Sequence, residues 1–149
     1  MKGLILAAGF GTLLRPLTSL RPKPFINVAN KPLMHYAIDS LIEAGISEIG
    51  IVVNPEIHAL IAKSLENYTE HPLRFIIQDP PRGLAHAVQV SQDFLADDSF
   101  VMYLSDNLFE HGIKSFVDAF NPEGGTNAVL ALVRVPDPRA FGVATVDEG

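Results

Sequence analysis

Four short stretches of this 149-residue chain carry side chains or backbone suited to chemistry on a charged ligand. Gly9 and Gly11, with Thr12 behind them, follow directly on the apolar run Gly3-Leu4-Ile5-Leu6-Ala7-Ala8. Paired glycines let backbone N–H groups approach an anionic phosphate with no Cβ in the way. Lys23 stands between Pro22 and Pro24, so its backbone is stiff and its ammonium is held at a defined place. Gln78 opens the loop Asp79-Pro80-Pro81-Arg82-Gly83, and a primary amide offers donor and acceptor side by side. Asp106, beside Asn107, ends the apolar run Phe100 to Leu104 and is a natural Mg²⁺ ligand, since magnesium uses one or two carboxylates with phosphate oxygens and waters. Each stretch taken alone also reads as ordinary turn chemistry. His35, His58, His71, His86 and His111 show no metal-ligand spacing and read as helix and surface residues.

The elements that must position these groups alternate along the chain. Gly3–Ala8, Ile49–Val53, Leu73–Gln78, Phe100–Leu104 and Ala128–Val135 are apolar runs of strand length. Between them, helical spacing predicts helices from Pro32 to Ile42, ended by Gly45, and from about Pro55 to Glu66 with Ile57, Leu60, Ile61 and Leu65 on one face. A third helix is expected over Leu84–Leu95, with Ala85, Val88, Phe94 and Leu95 inward, and a short one over Ile113–Phe120. Gly9 to Asn30 reads as a long loop, and Phe141–Val146 as an edge strand running into turn residues. Near-continuous apolar strands alternating with helices predict a mostly parallel sheet covered on both faces: an α/β, three-layer α/β/α, Rossmann-like architecture.

Composition narrows the function classes. Hydrophobic residues make up 48% and charged residues 19%, enough apolar content for a real core. There is no cysteine, which removes disulfide scaffolds, thiol nucleophiles and thiolate metal sites. Seventeen acidic against eleven basic residues give a net charge of −6 with no basic run, which argues against nucleic acid as a partner. No apolar run reaches membrane-spanning length, so the expectation is a cytoplasmic protein with no membrane partner.

Two familiar phosphate motifs fail. A P-loop would need Gly-Lys-Ser/Thr, and a dinucleotide fingerprint would need a third glycine where Leu14 stands and an acid where Asn30-Lys31 stands, so an NAD-dependent oxidoreductase is disfavoured. The longer string does match something. Leu6-Ala7-Ala8-Gly9-Phe10-Gly11-Thr12-Leu13-Leu14-Arg15-Pro16-Leu17-Thr18 with Arg21-Pro22-Lys23-Pro24 resembles the signature of the sugar-1-phosphate nucleotidyltransferases, nearest the glucose-1-phosphate thymidylyltransferase or uridylyltransferase branch. The segment 78–87 resembles that family's base-recognition loop, Leu104-Ser105-Asp106-Asn107 its metal motif, and Val135 to Val143 its sugar-contacting segment.

The resemblance implies a nucleotidyl group moved from dTTP or UTP to a sugar 1-phosphate, with Mg²⁺ as cofactor. It implies Lys23, Asp106 and Arg15 as catalytic residues, with Asp106 also holding the metal. Leu6, Ala8, Gly9, Gly11, Thr12, Gln78, Pro81 and Gly83 would bind the nucleotide, and Leu104 and Gly142 the sugar. Residues 1–149 would form one nucleotidyltransferase domain, incomplete at its C-terminal side, where the family's Glu-Lys-Pro segment and a second metal-binding carboxylate would lie. The apolar edges of such a sheet also allow a homo-oligomer. Two departures matter: Leu13 stands where the family has a phosphate-bridging arginine, and Ser105 where it has glycine. A missing guanidinium costs rate in phosphoryl transfer. A competing expectation is therefore a non-catalytic nucleotide-binding or regulatory module of the same fold.

Overall fold

The computed structural model describes residues 1–9, 22–140 and 142–145. Strands β1 (Lys2–Leu6), β4 (Ile49–Val53), β5 (Leu73–Ile77) and β6 (Phe100–Leu104) form one parallel sheet in the order β5-β4-β1-β6. In register, Leu4 lies between Gly50 and Met102, and Ile51 lies beside Phe75. Helices α1 (Leu33–Glu43) and α2 (Pro55–Leu65) cover one face. On the other face lie α3 (Leu84–Val90) and α4 (Gln92–Leu95). A short α5 (Lys114–Ala119) follows β6.

The period of two along each strand sorts the core into two layers. Ile5, Ala7, Ile49, Ile51, Val53 and Tyr103 point toward Met34, Ile38, Leu41, Ile61 and Leu65. Leu4, Leu6, Ala8 and Val52 point toward Ala87, Phe94 and Leu95. A central strand buried on both sides must be apolar at every position, which is why β1 and β4 read as unbroken runs. Gly50 lets α4 come close: a Cβ there would sit 2.7 Å from the Phe94 ring. Helix α1 ends as expected at Gly45, whose φ of +87° lets Ile46 N–H reach the Leu41 carbonyl at 3.0 Å while its own N–H reaches Ile42 at 2.9 Å.

Several expectations are corrected. Ala128–Val135 forms no strand; Leu130, Leu132 and Val133 are 62–81% exposed. Part of the run, Ala128 to Ala131, instead lines a groove of about 570 Å³ with Phe100 and Met102 of β6, because no ladder partner reaches it among the described residues. Gly142–Thr145 likewise carries no strand, and the rest of the expected 141–146 strand lies outside the described residues. The helix expected over 84–95 breaks at Ser91, whose buried hydroxyl donates back to the Ala87 carbonyl at 2.7 Å. Leu60 and Ala85 face solvent, since the inward rows run through Ile57, Ile61 and Leu65, and through Ala87 and Val88. Pro32 is the residue before α1 rather than part of its first turn. Within the expected loop, β2 (Asn27–Val28) and β3 (Lys31–Pro32) pair as a tiny antiparallel hairpin.

That hairpin is clamped to the helices. Lys31 pairs with Asp39 of α1, and Tyr68 donates to both Asp39 oxygens at 2.8 and 3.0 Å. His35 stacks on Tyr68 with ring centroids 3.8 Å apart. Burial holds the His35 imidazole below its ordinary value, opposed by the nearby Asp39 and helped by Lys31. The unfolded chain therefore takes up this proton first as pH falls, so the stability tied to neutral His35 is present above about pH 6.5 and lost as pH drops toward the folded value. Urea midpoints are expected to fall between about pH 7.5 and 5. His35→Phe, which keeps the stack without the proton, should flatten that slope; an unchanged slope assigns it to other groups.

Candidate functional site

The chain runs β1, β4 and β5 in one direction across the sheet, then returns to place β6 on the far side of β1. In open α/β sheets, ligands bind beyond the carboxyl ends of the strands at such a switch point. Here those ends carry Gly9 after β1, Asn54 after β4, Gln78 after β5 and Asp106 after β6. Backbone bonds tie the ends together: Ser105 N–H donates to Leu6 at 3.2 Å, Ala7 to Val52 at 2.8 Å, and Gln78 to Val53 at 2.9 Å.

Asp106 and Lys23 form an ion pair at the β6 side. Asp106 sits in the turn closed by Asn107 N–H on the Leu104 carbonyl at 3.0 Å, and the Tyr103 hydroxyl donates to the Asn107 carbonyl at 3.0 Å. Lys23 opens a single 3₁₀ turn (Lys23–Phe25), in which Phe25 N–H donates to Pro22 and Ile26 N–H to Lys23. Pro24 is fully buried and Phe25 packs on the core, so the ammonium is carried on a fixed base. Both charged side chains keep part of their surface in solvent, which makes the pair modest in stability terms. Their arrangement is suited to exchange: a phosphate oxygen can take the ammonium, and a cation can take the carboxylate.

Across the sheet, Gln78 is buried at 3% exposure. Its amide nitrogen Nε2 donates to the Gly83 carbonyl at 3.0 Å and lies 3.1 Å from Nδ1 of His86. Gly83 precedes α3 with φ +95° and ψ −177°, a region essentially reserved for glycine. With β4 and β1 between them, the ends of β5 and β6 lie roughly 14 Å apart, three strand spacings of about 4.8 Å.

The remaining expected site residues are placed differently. Leu6 and Ala8 have their side chains in the apolar layer with Leu4, and Leu104 packs partly against it. Gly9 is exposed, Pro81 partly so, and Gly142 lies in open surroundings. Gly11, Thr12, Leu13 and Arg15 lie outside the described residues. Two residues of this edge escape sequence reasoning. Asn54, 2% exposed, donates from Nδ2 to the Ala8 carbonyl at 2.9 Å and accepts Ile57 N–H at 3.1 Å on Oδ1. An asparagine before Pro55 was a readable helix-start signal. His86 lies within the segment 78–87 that resembles the base-recognition loop, but only the fold shows that it meets Gln78. Among the described residues, no group of three or more His, Asp or Glu side chains could hold a metal ion. None of the described helices is long and apolar enough to cross a membrane.

Comparison with known proteins identifies the family. The family model described as "Nucleotidyl transferase" matches residues 2–149. The chain is 42% identical, over 99% of its length, to a low-salt glycan biosynthesis nucleotidyltransferase of Haloferax volcanii. It is 41% identical over 99% of its length to a glucose-1-phosphate thymidylyltransferase of Streptomyces griseus. With a mannose-1-phosphate guanyltransferase of Saccharomyces cerevisiae it shares 34% identity over 99% of its length. The chain spans 42% of the length of each of these relatives. A solved protein from Bacillus anthracis, assigned as a glucose-1-phosphate thymidylyltransferase, superposes with a TM-score of 0.73 at 31% identity, covering 79% of this chain and 49% of that one. UDP-glucose pyrophosphorylase solved with UDP-glucose gives 0.66 at 26% identity, covering 78% and 52%. This chain is thus a member of the sugar-1-phosphate nucleotidyltransferase family.

Proposed function

We propose that this chain forms the nucleotide-binding part of an enzyme that transfers a nucleotidyl group from dTTP or UTP to a sugar 1-phosphate. A phosphate oxygen of the sugar phosphate attacks the α-phosphorus, the α–β phosphoanhydride bond breaks, and pyrophosphate leaves. The observation that carries this reading is the pairing of two unlike stations on one strand-end edge: the Lys23–Asp106 pair beyond β6, and the buried Gln78 amide beyond β5. Thymine, uracil and guanine share a ring N–H beside a carbonyl, and the relatives' names carry all three bases. The loop of Gly9, Gly11 and Thr12 would hold the triphosphate, with Arg15 near it, and Leu104 and Gly142 would meet the sugar. Nucleoside triphosphates being cytoplasmic metabolites, the reaction is assigned there.

Magnesium fits this site in a limited sense. Asp106 is a partly exposed carboxylate, which would serve a metal arriving with the triphosphate. When bound, it would neutralise charge on the phosphate oxygens; Lys23 would do so from the protein's side.

The test is calorimetric titration of each nucleoside triphosphate with Mg²⁺. UTP or dTTP should bind more tightly than ATP, and Gln78→Ala should reduce that selectivity by about 1–3 kcal/mol, the scale of an unpaired hydrogen-bonding group. Equal affinity for ATP in the unmodified chain defeats the base assignment.

A further inference from the structure

We propose that His86 sets which nucleobases the site accepts, by committing both amide protons of Gln78 inward so that only the carbonyl oxygen Oε1 remains for the base. This rests on the reading above that Gln78 faces the base. The orientation of the amide is fixed by chemistry. A carbonyl only accepts, so the Gln78 atom 3.0 Å from the Gly83 oxygen must be Nε2. The second Nε2 proton meets Nδ1 of His86 at 3.1 Å. As a hydrogen bond this contact requires Nδ1 to present its lone pair, with the ring hydrogen on Nε2.

Among the described residues, no side-chain or backbone donor is given to Oε1, whereas both Nε2 protons have partners. Gln78 is buried, and the Gly83 carbonyl is held by a backbone conformation that glycine alone adopts readily, so the amide cannot easily turn over. The site therefore offers an acceptor and no donor from this side chain. Thymine N3–H, uracil N3–H and guanine N1–H satisfy it. A base seated with its ring nitrogen on Oε1 is accepted when that nitrogen carries a hydrogen; adenine N1 and cytosine N3 set a lone pair there, and these bases must shift to offer N6–H or N4–H instead.

Removing the His86 acceptor frees one Nε2 proton while the other stays on Gly83. The amide then shows a donor beside its acceptor, and the discrimination weakens. His86 acts here as a positioning residue, through Gln78.

The experiment titrates UTP, dTTP, GTP, ATP and CTP with Mg²⁺ into the unmodified chain, His86→Phe and His86→Gln. In His86→Phe the UTP-to-ATP and UTP-to-CTP affinity ratios should fall at least about fivefold, mainly through gains by ATP and CTP. His86→Gln restores an acceptor and should keep the original ratios. Unchanged ratios in His86→Phe, with nucleotides still bound, overturn the role of His86 alone. Failure of the unmodified chain to bind any of the five overturns the proposed function beneath it. A ligand-free readout stands whatever the variants do: ¹⁵N NMR of the unmodified chain should show the His86 Nδ1 unprotonated and the Gln78 side-chain amide shifted on His86 replacement. A protonated Nδ1 overturns the proposal.

Discussion

Lys23→Ala should weaken triphosphate binding about 10- to 100-fold, while Asp106→Ala should reduce its response to magnesium. The first figure follows from charge-assisted hydrogen bonds, each about 1.5–3 kcal/mol, where about 1.4 kcal/mol is a factor of ten. On the proposed function, ground-state binding and transition-state stabilisation would both draw on that ammonium, so turnover of the whole enzyme should fall at least as far. The two variants separate because the ion pair occupies both groups at once. Without Asp106, Lys23 has no competitor, and metal-free nucleotide binding should hold or tighten. Without Lys23, Asp106 is available to a cation, but the triphosphate has lost its cationic anchor. Calorimetry in EDTA and in Mg²⁺ on both variants distinguishes them. Equal losses in EDTA would mean that the pair only ties the Pro22–Pro24 turn to β6 and has no ligand to exchange for.

How much of this was legible depended on whether a feature was local. β1 and β4 were readable because a strand buried on both faces must be apolar throughout, and Gly45 because a helix stop is a backbone property of one residue. The run from Ala128 to Val135 has the same composition as those strands, yet forms none. Composition states that a segment can pair; only the neighbouring edge decides whether it does. The hairpin of β2 and β3 was hidden for a different reason. Its turn has Ala29 and Asn30 both at positive φ, 47° and 67°, the geometry of a type I′ turn, but alanine is a poor advertisement for it.

The site divides the same way. Lys23 stood out through its flanking prolines, and the structure supplies the reason: a buried Pro24 and a single hydrogen-bonded turn. Asp106 stood out through its place after an apolar strand. That the two meet was invisible, because the pairing is made by the return of β6 to the side of β1. Gln78 was legible as an amide at a strand end. Its orientation was not, since this depends on Gly83 and on His86 in the first turn of α3, which sequence reasoning grouped with ordinary helix and surface residues.

Asn54→Ala should cost about 2–4 kcal/mol of folding stability, the largest loss expected from any polar residue of this edge. One share, about 1 kcal/mol, is the lost cap on α2, where Oδ1 accepts Ile57 N–H at 3.1 Å. The other, about 1–3 kcal/mol, is the Ala8 carbonyl, buried and left without the Nδ2 donor that now meets it at 2.9 Å. Asn54→Asp separates the shares. It keeps the shape and the capping oxygen but turns a second acceptor toward the Ala8 carbonyl, in a setting that disfavours charge. At neutral pH this variant should be at least as unstable as Asn54→Ala. Its carboxyl must be raised in the folded state, so the deficit shrinks as pH falls and the protonated group becomes a donor to Ala8. Urea unfolding of both variants at about pH 7 and pH 5 measures this. The bond also anchors the residue from which the Gly9 loop departs, so nucleotide affinity should drop in both variants even where the fold persists. Wild-type stability of Asn54→Asp at neutral pH would show that the Ala8 carbonyl has another partner, and that this buried amide is only a helix cap.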